Sequence, residues 1–358
     1  MRVLHVITGL AAGGAEQQLR QLVRQQGATA EVATLTNPGI VARDMRMDGF
    51  VVHEIGMRGN RDLSALPRLV HLIRVGRYDL VHTHLYRACV YGRVAARLAG
   101  VRNVVATEHS LGDRHLEGRR ITPAVRRLYL ATERLGQVTI AVSTAVARRL
   151  ARWGVPPGRI VTVPNGIEAG RYRFDPARRR SLRAGLGLAP ERFVVGTVGR
   201  LVASKRTDAV LRAMRDLDDV TALFVGDGPT GRELVALGNR LEVDARFTGE
   251  SADVPGVLST MDLLVSPSAE ETFGLGVLEA LVAGLPVLFV ECPALDELPA
   301  GSVPTARRVS ADPGAIRRAV ADVVHDRPGR FEPPEALSRY DMASVAARIQ
   351  QVYERVIR

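Results

Sequence analysis

At 358 residues the chain is too long for one ordinary hydrophobic core, which predicts two α/β domains. Apolar and charged fractions of 46% and 24% are near average and exclude a disordered or fibrous chain. The formal charge of +11 raises the question of a nucleic-acid partner, but the arginines are spread along the chain without an aromatic-interleaved cluster, so none is expected.

The N-terminus is too short and polar for a signal peptide, and no window approaches the roughly 18 apolar residues of a membrane span. The expected location is therefore cytoplasmic, with peripheral contact to an anionic inner membrane face through the basic run Arg119-Arg120…Arg126-Arg127 as the membrane-facing candidate. Cys89 and Cys292, far apart in apolar stretches, are expected to be free buried thiols.

In chain order, β-branched runs at 3–8, 31–35, 51–55, 80–83, 103–107, 138–142 and 160–164 predict strands. Stretches of helical period, among them 16–26, 88–99 and 144–153, separate them. This alternation means crossover units and a parallel sheet covered on both faces. Residues 165–192, rich in Arg, Gly and Pro, contain no strand pattern and are taken as a linker. Strands resume at 193–198, 221–225, 246–248, 263–265 and 286–289, with helices such as 207–217 and 231–241 between them. A last amphipathic helix covers about 334–357.

The expected fold class is α/β: two Rossmann-like doubly wound domains facing across a cleft, with a C-terminal helix packing back towards the first. Residues 1–168 form the acceptor-side domain, 169–335 the donor-side domain and 336–358 the closing helix. Ligands of such sheets bind at the carboxyl ends of strands.

Four segments carry chemistry. Gly13 and Gly14 follow the first strand and open the first helix, where free amides attract a phosphate, although the Gly-x-Gly-x-x-Gly spacing is absent. In Gly199-Arg200-Leu-Val-Ala-Ser-Lys205, two cations converge at a strand end and suit a diphosphate. Of the 49 basic residues only Lys205 is lysine, which marks a place where a compact ammonium is wanted.

The third segment runs through Glu271-Thr272-Phe273-Gly274-Leu275 to Glu279. The amides of Phe273, Gly274 and Leu275 lie at a helix start, and two carboxylates suit sugar and ribose hydroxyls. The fourth is histidines. His82 and His84 have the look of a metal pair, but no third ligand follows at suitable spacing; they are expected as a strand-end polar pair lining the cleft. His109, followed by Ser110, ends a strand and suits a base or donor to a hydroxyl. Asp216/Asp218 and the loop Gly226-Asp-Gly-Pro-Thr-Gly231 are set aside as a surface turn and as a phosphate loop lacking its Lys-Ser/Thr.

Taken together, Gly13-Gly14-Ala-Glu16, Thr-Glu108-His109, Val163-Pro-Asn165-Gly166-Ile-Glu168, Gly199-Arg200…Lys205, Val225-Gly-Asp-Gly-Pro229 and Glu271/Glu279 occur in the order of a known family. The chain resembles the family-4 retaining glycosyltransferases of the GT-B fold over essentially its whole length. The resemblance implies that Arg200 and Lys205 neutralise a donor diphosphate, with Phe273–Leu275 amides and Gly14 cradling it. It implies that Glu279 holds the ribose, Glu271 the donor hexose and His109 the sugar or acceptor. His82, His84 and Ser110 are acceptor-side candidates.

The partners expected are a sugar nucleotide (a UDP-hexose or UDP-N-acetylhexosamine, then GDP-mannose) and a hydroxyl-bearing glycan, lipid-linked glycan or natural-product aglycone. No cofactor and no metal are expected. Thr272 and Glu168 stand where the family often has Gly and Asp. The alternatives are a sugar-nucleotide 2-epimerase of the same fold and a non-catalytic sugar-nucleotide- or glycan-binding subunit.

Overall fold

Central strands buried on both faces, with less buried strands at the edges, build two parallel sheets whose strands are joined by helices in this protein, known here from a computed structural model. The structure describes residues 1–59, 62–117, 119–251 and 253–358, Arg119 by its backbone alone. The chain divides into two units, Met1–Gly166 with Met342–Arg358, and Ile167–Asp341.

Among the described residues, the main sheet of the first unit holds seven parallel strands: β1 (Val3–Ile7), β2 (Ala30–Thr34), β3 (Val52–Glu54), β4 (Leu80–His84), β5 (Val104–Glu108), β6 (Val138–Ala141) and β7 (Ile160–Thr162). Their order is β3-β2-β1-β4-β5-β6-β7. Period-two alternation sorts the side chains between two faces. Leu4, Val6, Val81 and Val104 meet the helices Ala65–Gly76 and Tyr86–Ala99. Val3, Leu80, Val105 and Ile140 meet the first helix (Gly14–Gln26) and the C-terminal helix (Met342–Ile357), whose Val345, Ile349, Val352 and Tyr353 form its apolar stripe. The C-terminal helix thus packs on the first unit.

The second unit holds β8 (Phe193–Val198), β9 (Val220–Val225), β10 (Ala245–Phe247), β11 (Leu263–Ser266), β12 (Val287–Phe289) and β13 (Ala306–Arg308) in the order β10-β9-β8-β11-β12-β13. Both sheets therefore reverse direction beside their first strand, at β1/β4 and β8/β11. That is where open doubly wound sheets leave a crevice.

Three expectations are corrected. Residues 165–192 are not a bare linker: Asp175 caps a helix, Pro176–Gly185, accepting from the amides of Ala177 and Arg178. Two of its arginines are structural, Arg179 and Arg183 pairing with Asp262 at 2.6 Å each while also capping the carbonyls of Ser259, Thr260 and Met261.

The helix expected at 334–357 is broken. Glu335–Tyr340 is a 3-10 turn of the second unit, anchored by Tyr340 donating to Ala294 O at 2.6 Å, and the α-helix begins at Met342. The crossings lie after Gly166 and after Asp341, against the expected 168 and 335. The edge strand β13, two of whose three residues are exposed arginines, has no apolar pattern to betray it.

Candidate functional site

At the switch point of the second unit, two loops leave adjacent strands. After β8, Gly199 (φ 142°) turns the chain, Ala203–Lys205 forms a 3-10 turn, and Arg206 leads into the helix Thr207–Met214. The loop set aside in the sequence is what seats it. Gly226 and Gly228 have no room for a Cβ against Gly199 O and Leu201 O, and Leu201 N donates to Asp227 O at 2.9 Å.

After β11, the segment from Pro267 reaches Gly274 (φ 101°), which caps the helix Leu275–Val282. A Cβ on Gly274 would overlap Cys292 Sγ, so glycine is required on two counts. The helix opens with the amides of Leu275 and Gly276, since those of Val277 and Leu278 already donate to Gly274 O, while Phe273 is buried against Tyr340, its carbonyl taken by Ala294 N at 2.9 Å.

Lys205 and Glu271 meet between these loops, Nζ to Oε2 at 2.6 Å, with Lys205 35% and Glu271 15% exposed. Glu271 N donates to Glu291 Oε2 at 3.1 Å, which fixes the backbone behind the carboxylate. Glu279 is half-buried, and Tyr172 donates to its Oε1 at 2.8 Å. Burial holds the Glu279 carboxyl above the ordinary range, against the Tyr172 hydrogen bond and the Arg171 charge, which pull it down. Arg200 is exposed beside the turn. The second unit therefore gathers Arg200, Lys205, Glu271, Gly274, Leu275 and Glu279 around its switch point. Tyr172 was missed because it lies in the supposed linker.

In the first unit, Gly13 is extended and Gly14 begins the first helix. A Cβ on Gly13 would overlap the Glu16 carboxylate, so the chain's own acid already lies against this helix start. Cys89 and Cys292 are both free and buried.

His82 and His84 are not an open strand-end pair. They are 0% and 2% exposed within β4, on the face covered by the first and C-terminal helices. His82 Nδ1 meets Tyr353 OH at 2.6 Å and Nε2 meets Thr107 Oγ1 at 2.7 Å. The third imidazole sought downstream lies upstream: His5 on β1, in register with His82. Ligand atoms of His5, His82 and His84 lie within 4.8 Å of one another. All six ring nitrogens have hydrogen-bond partners, so the cluster is satisfied as it stands.

His109 follows β5 and meets His84 Nδ1 at 3.2 Å through Nε2, and it also bonds the Asn165 side chain. Burial pushes His5 and His109 down to about 4, and His82 and His84 well below the imidazole range. Ser110 is half-buried, its carbonyl accepting from Gly112 N at 3.1 Å. In the basic run, the side chain of Arg119 lies outside the described residues. Arg126 is spent on the last carbonyls of the helix Thr144–Trp153, at 2.8–3.2 Å. Among the described residues no helix is long and apolar enough to cross a membrane.

Two Rossmann-like units, each with glycine-shaped loops at its switch point, define a chain of the GT-B class. Residues 12–171 match the profile "Glycosyltransferase Family 4" and residues 192–326 match "Glycosyl transferases group 1". The chain belongs to this glycosyltransferase family. It is 33% identical to a D-inositol 3-phosphate glycosyltransferase of Rhodococcus jostii (strain RHA1) over 60% of this chain and 51% of that one. It is 29% identical to an Escherichia coli UDP-Gal:alpha-D-GlcNAc-diphosphoundecaprenol alpha-1,3-galactosyltransferase over 64% and 62% of the respective chains. The match thus spans about half the length of the Rhodococcus relative. In fold it is similar to Anabaena Alr3699/HepE, solved in complex with UDP and glucose (TM-score 0.88, 22% identity, 99% of this chain and 100% of that one). It is also similar to sucrose-phosphate synthase of Thermosynechococcus elongatus (TM-score 0.80, 19% identity, 99% of each).

Proposed function

We propose that the chain transfers a hexosyl or N-acetylhexosaminyl group from a nucleoside-diphosphate sugar to an acceptor hydroxyl with retention and without a metal. The observation that carries this is the Lys205–Glu271 pair, 2.6 Å apart beside the amide-bearing start of the helix Leu275–Val282. A cation and helix-terminal amides answer a diphosphate; carboxylates answer hydroxyls. A UDP-sugar is favoured, since Alr3699/HepE has been solved with UDP and glucose and the E. coli relative is named for UDP-Gal. GDP-mannose is next.

In this reading Arg200 and Lys205 take the charge of the departing diphosphate, with the Gly274–Leu275 amides beside them. Stabilising that leaving group is the main catalytic work. Glu279, oriented by Tyr172, holds the ribose, and Glu271 turns from Lys205 to the hexose once phosphate has claimed the ammonium. His109 serves the sugar or the acceptor hydroxyl, and Gly13 and Gly14 admit phosphate when Glu16 moves aside. The acceptor is a glycan, a lipid-linked glycan or a natural-product aglycone. The diphosphoundecaprenol acceptor in the E. coli relative's name favours the second. Exposed Arg127 and Leu128 suit peripheral contact with an anionic leaflet.

Thermal-shift screening against nucleoside diphosphates and sugar nucleotides in EDTA tests the donor. A ligand at about 100 times its Kd adds about 2.7 kcal/mol of apparent stability, so UDP should raise the melting temperature and uridine should not. Formation of an epimerised donor in the absence of acceptor would contradict the transferase.

A further inference from the structure

The second unit runs from Ile167 to Asp341, and the chain enters and leaves it at two residues that lie side by side. Ile167 pairs with Asp341 as a parallel bridge, and Ile167 N donates to Tyr340 O at 2.7 Å. Tyr340 ends the 3-10 turn Glu335–Tyr340, whose buried side chains are Leu337 and its own. A turn this short has little stability of its own and stays where those two side chains put it.

The Tyr340 side chain reaches the loop that opens the helix Leu275–Val282. Its hydroxyl donates to Ala294 O at 2.6 Å, and Ala294 N donates to Phe273 O at 2.9 Å. Its ring meets the Phe273 ring edge to face, with centroids 5.3 Å apart at 86°. Phe273, Ala294 and Tyr340 are all buried, so this triangle is closed to water. Removing the hydroxyl takes a partner from a buried carbonyl, and the Ala294 peptide then tilts to find another. Phe273 is joined directly to Gly274, whose φ of 101° starts the helix with the amides of Leu275 and Gly276. The position of the Phe273 peptide thus sets the direction of those amides.

We propose that Tyr340 is a positioning residue: through Ala294 and Phe273 it aims the Leu275 and Gly276 amides at a phosphate, and through its own carbonyl it ties them to the chain crossing at Ile167. The tie works in both directions. Amides already held in place need no ordering when phosphate arrives. Phosphate on those amides steadies Tyr340 and the Ile167 bond in return, because coupling between two sites is reciprocal. That the phosphate belongs to a sugar nucleotide rests on the proposed transferase reading, whereas the clamp on Phe273 does not.

Tyr340→Phe in the full chain keeps the ring against Phe273 and removes only the bond to Ala294 O. Calorimetric titration in EDTA should show UDP bound about 3- to 10-fold more weakly than by the wild type, with uridine unchanged. Amide hydrogen exchange reads the other end of the tie. UDP should slow exchange at Ile167 by about threefold or more in the wild type and leave it nearly unchanged in Tyr340→Phe. Leu337→Ala removes the other buried side chain of the turn but leaves the Tyr340 hydroxyl in place. It should lower the melting temperature while keeping the ratio of UDP to uridine affinity within about twofold of the wild type.

The same affinity ratio in wild type and Tyr340→Phe, or Ile167 exchange indifferent to UDP, overturns the proposal. So does a Leu337→Ala variant that loses the ratio as Tyr340→Phe does, which would mean that general loosening of the turn is enough. Wild-type protein that binds UDP no better than uridine would count against the transferase reading instead. The Leu275 and Gly276 amide resonances of the ligand-free protein then decide the clamp: a shift in Tyr340→Phe supports it, and unchanged resonances overturn it.

Discussion

Lysine is used once in this chain, and its ammonium lies 2.6 Å from a carboxylate at the switch point of the second sheet. The pair is partly exposed and is worth little to folding. Lys205→Ala should therefore leave the melting temperature within a few degrees while weakening UDP binding by about 10- to 100-fold, the worth of a hydrogen bond to a charged group. Calorimetric titration of both proteins checks it, and equal affinities would remove Lys205 from the site. Lys205→Arg should recover only part of the loss, because a planar fork does not replace a compact ammonium. Tyr172 makes a second residue-scale case. Tyr172→Phe removes the donor to Glu279 and should raise the Glu279 titration midpoint further while weakening UDP binding more than phosphate binding. Carboxyl titration followed by NMR, with parallel UDP and phosphate titrations, reads both.

At the scale of elements, the loop that ends in Gly274 is held by backbone geometry. Gly274→Ala meets a left-handed φ of 101° and the Cys292 sulfur together, and should cost about 1–3 kcal/mol in urea unfolding. The double variant with Cys292→Ala should recover the clash but not the backbone strain; full recovery would contradict the account. The alternation of strands and helices was legible because the central strands are mostly apolar and bounded by helical patterns, and the motif loops because glycines mark strand ends. What sequence spacing hides is who sits beside whom. Neighbouring strands of a parallel sheet are separated by a whole crossover, so His5, 77 residues before His82, was invisible to a search forward from it. Tyr172 and Glu279, 107 residues apart, were hidden in the same way. Arg179 and Arg183 gave no sign that they would be consumed by Asp262 and helix-end carbonyls. Where the sequence pattern was weak, as in the edge strand Ala306–Arg308, the element itself was missed.

On the scale of the whole molecule, three buried imidazoles and the half-buried His109 make stability depend on pH. His5 and His109 have folded midpoints of about 4 against 6.5 in the free side chain. Between those values the unfolded chain binds more protons, so stability is complete above 6.5 and is lost as pH falls towards 4, by about 3 kcal/mol for each ring. His82 and His84 act in the same direction. Buried Glu108, raised to about 7, and Glu279, also raised, act oppositely, their contribution being lost as pH rises through their folded midpoints, but they are two groups against four. Urea midpoints should therefore fall from pH 6.5 to 4.5, and a flat profile would contradict the burial of these histidines.

If the second unit holds a nucleoside diphosphate by its own cations and amides, calorimetric titration with UDP and with uridine in EDTA will separate the two ligands. UDP is predicted to bind at least about tenfold more tightly, with most of that margin lost in Lys205→Ala. Equal affinities for UDP and uridine, or a preference for UDP that appears only when Mg2+ is added, would contradict it.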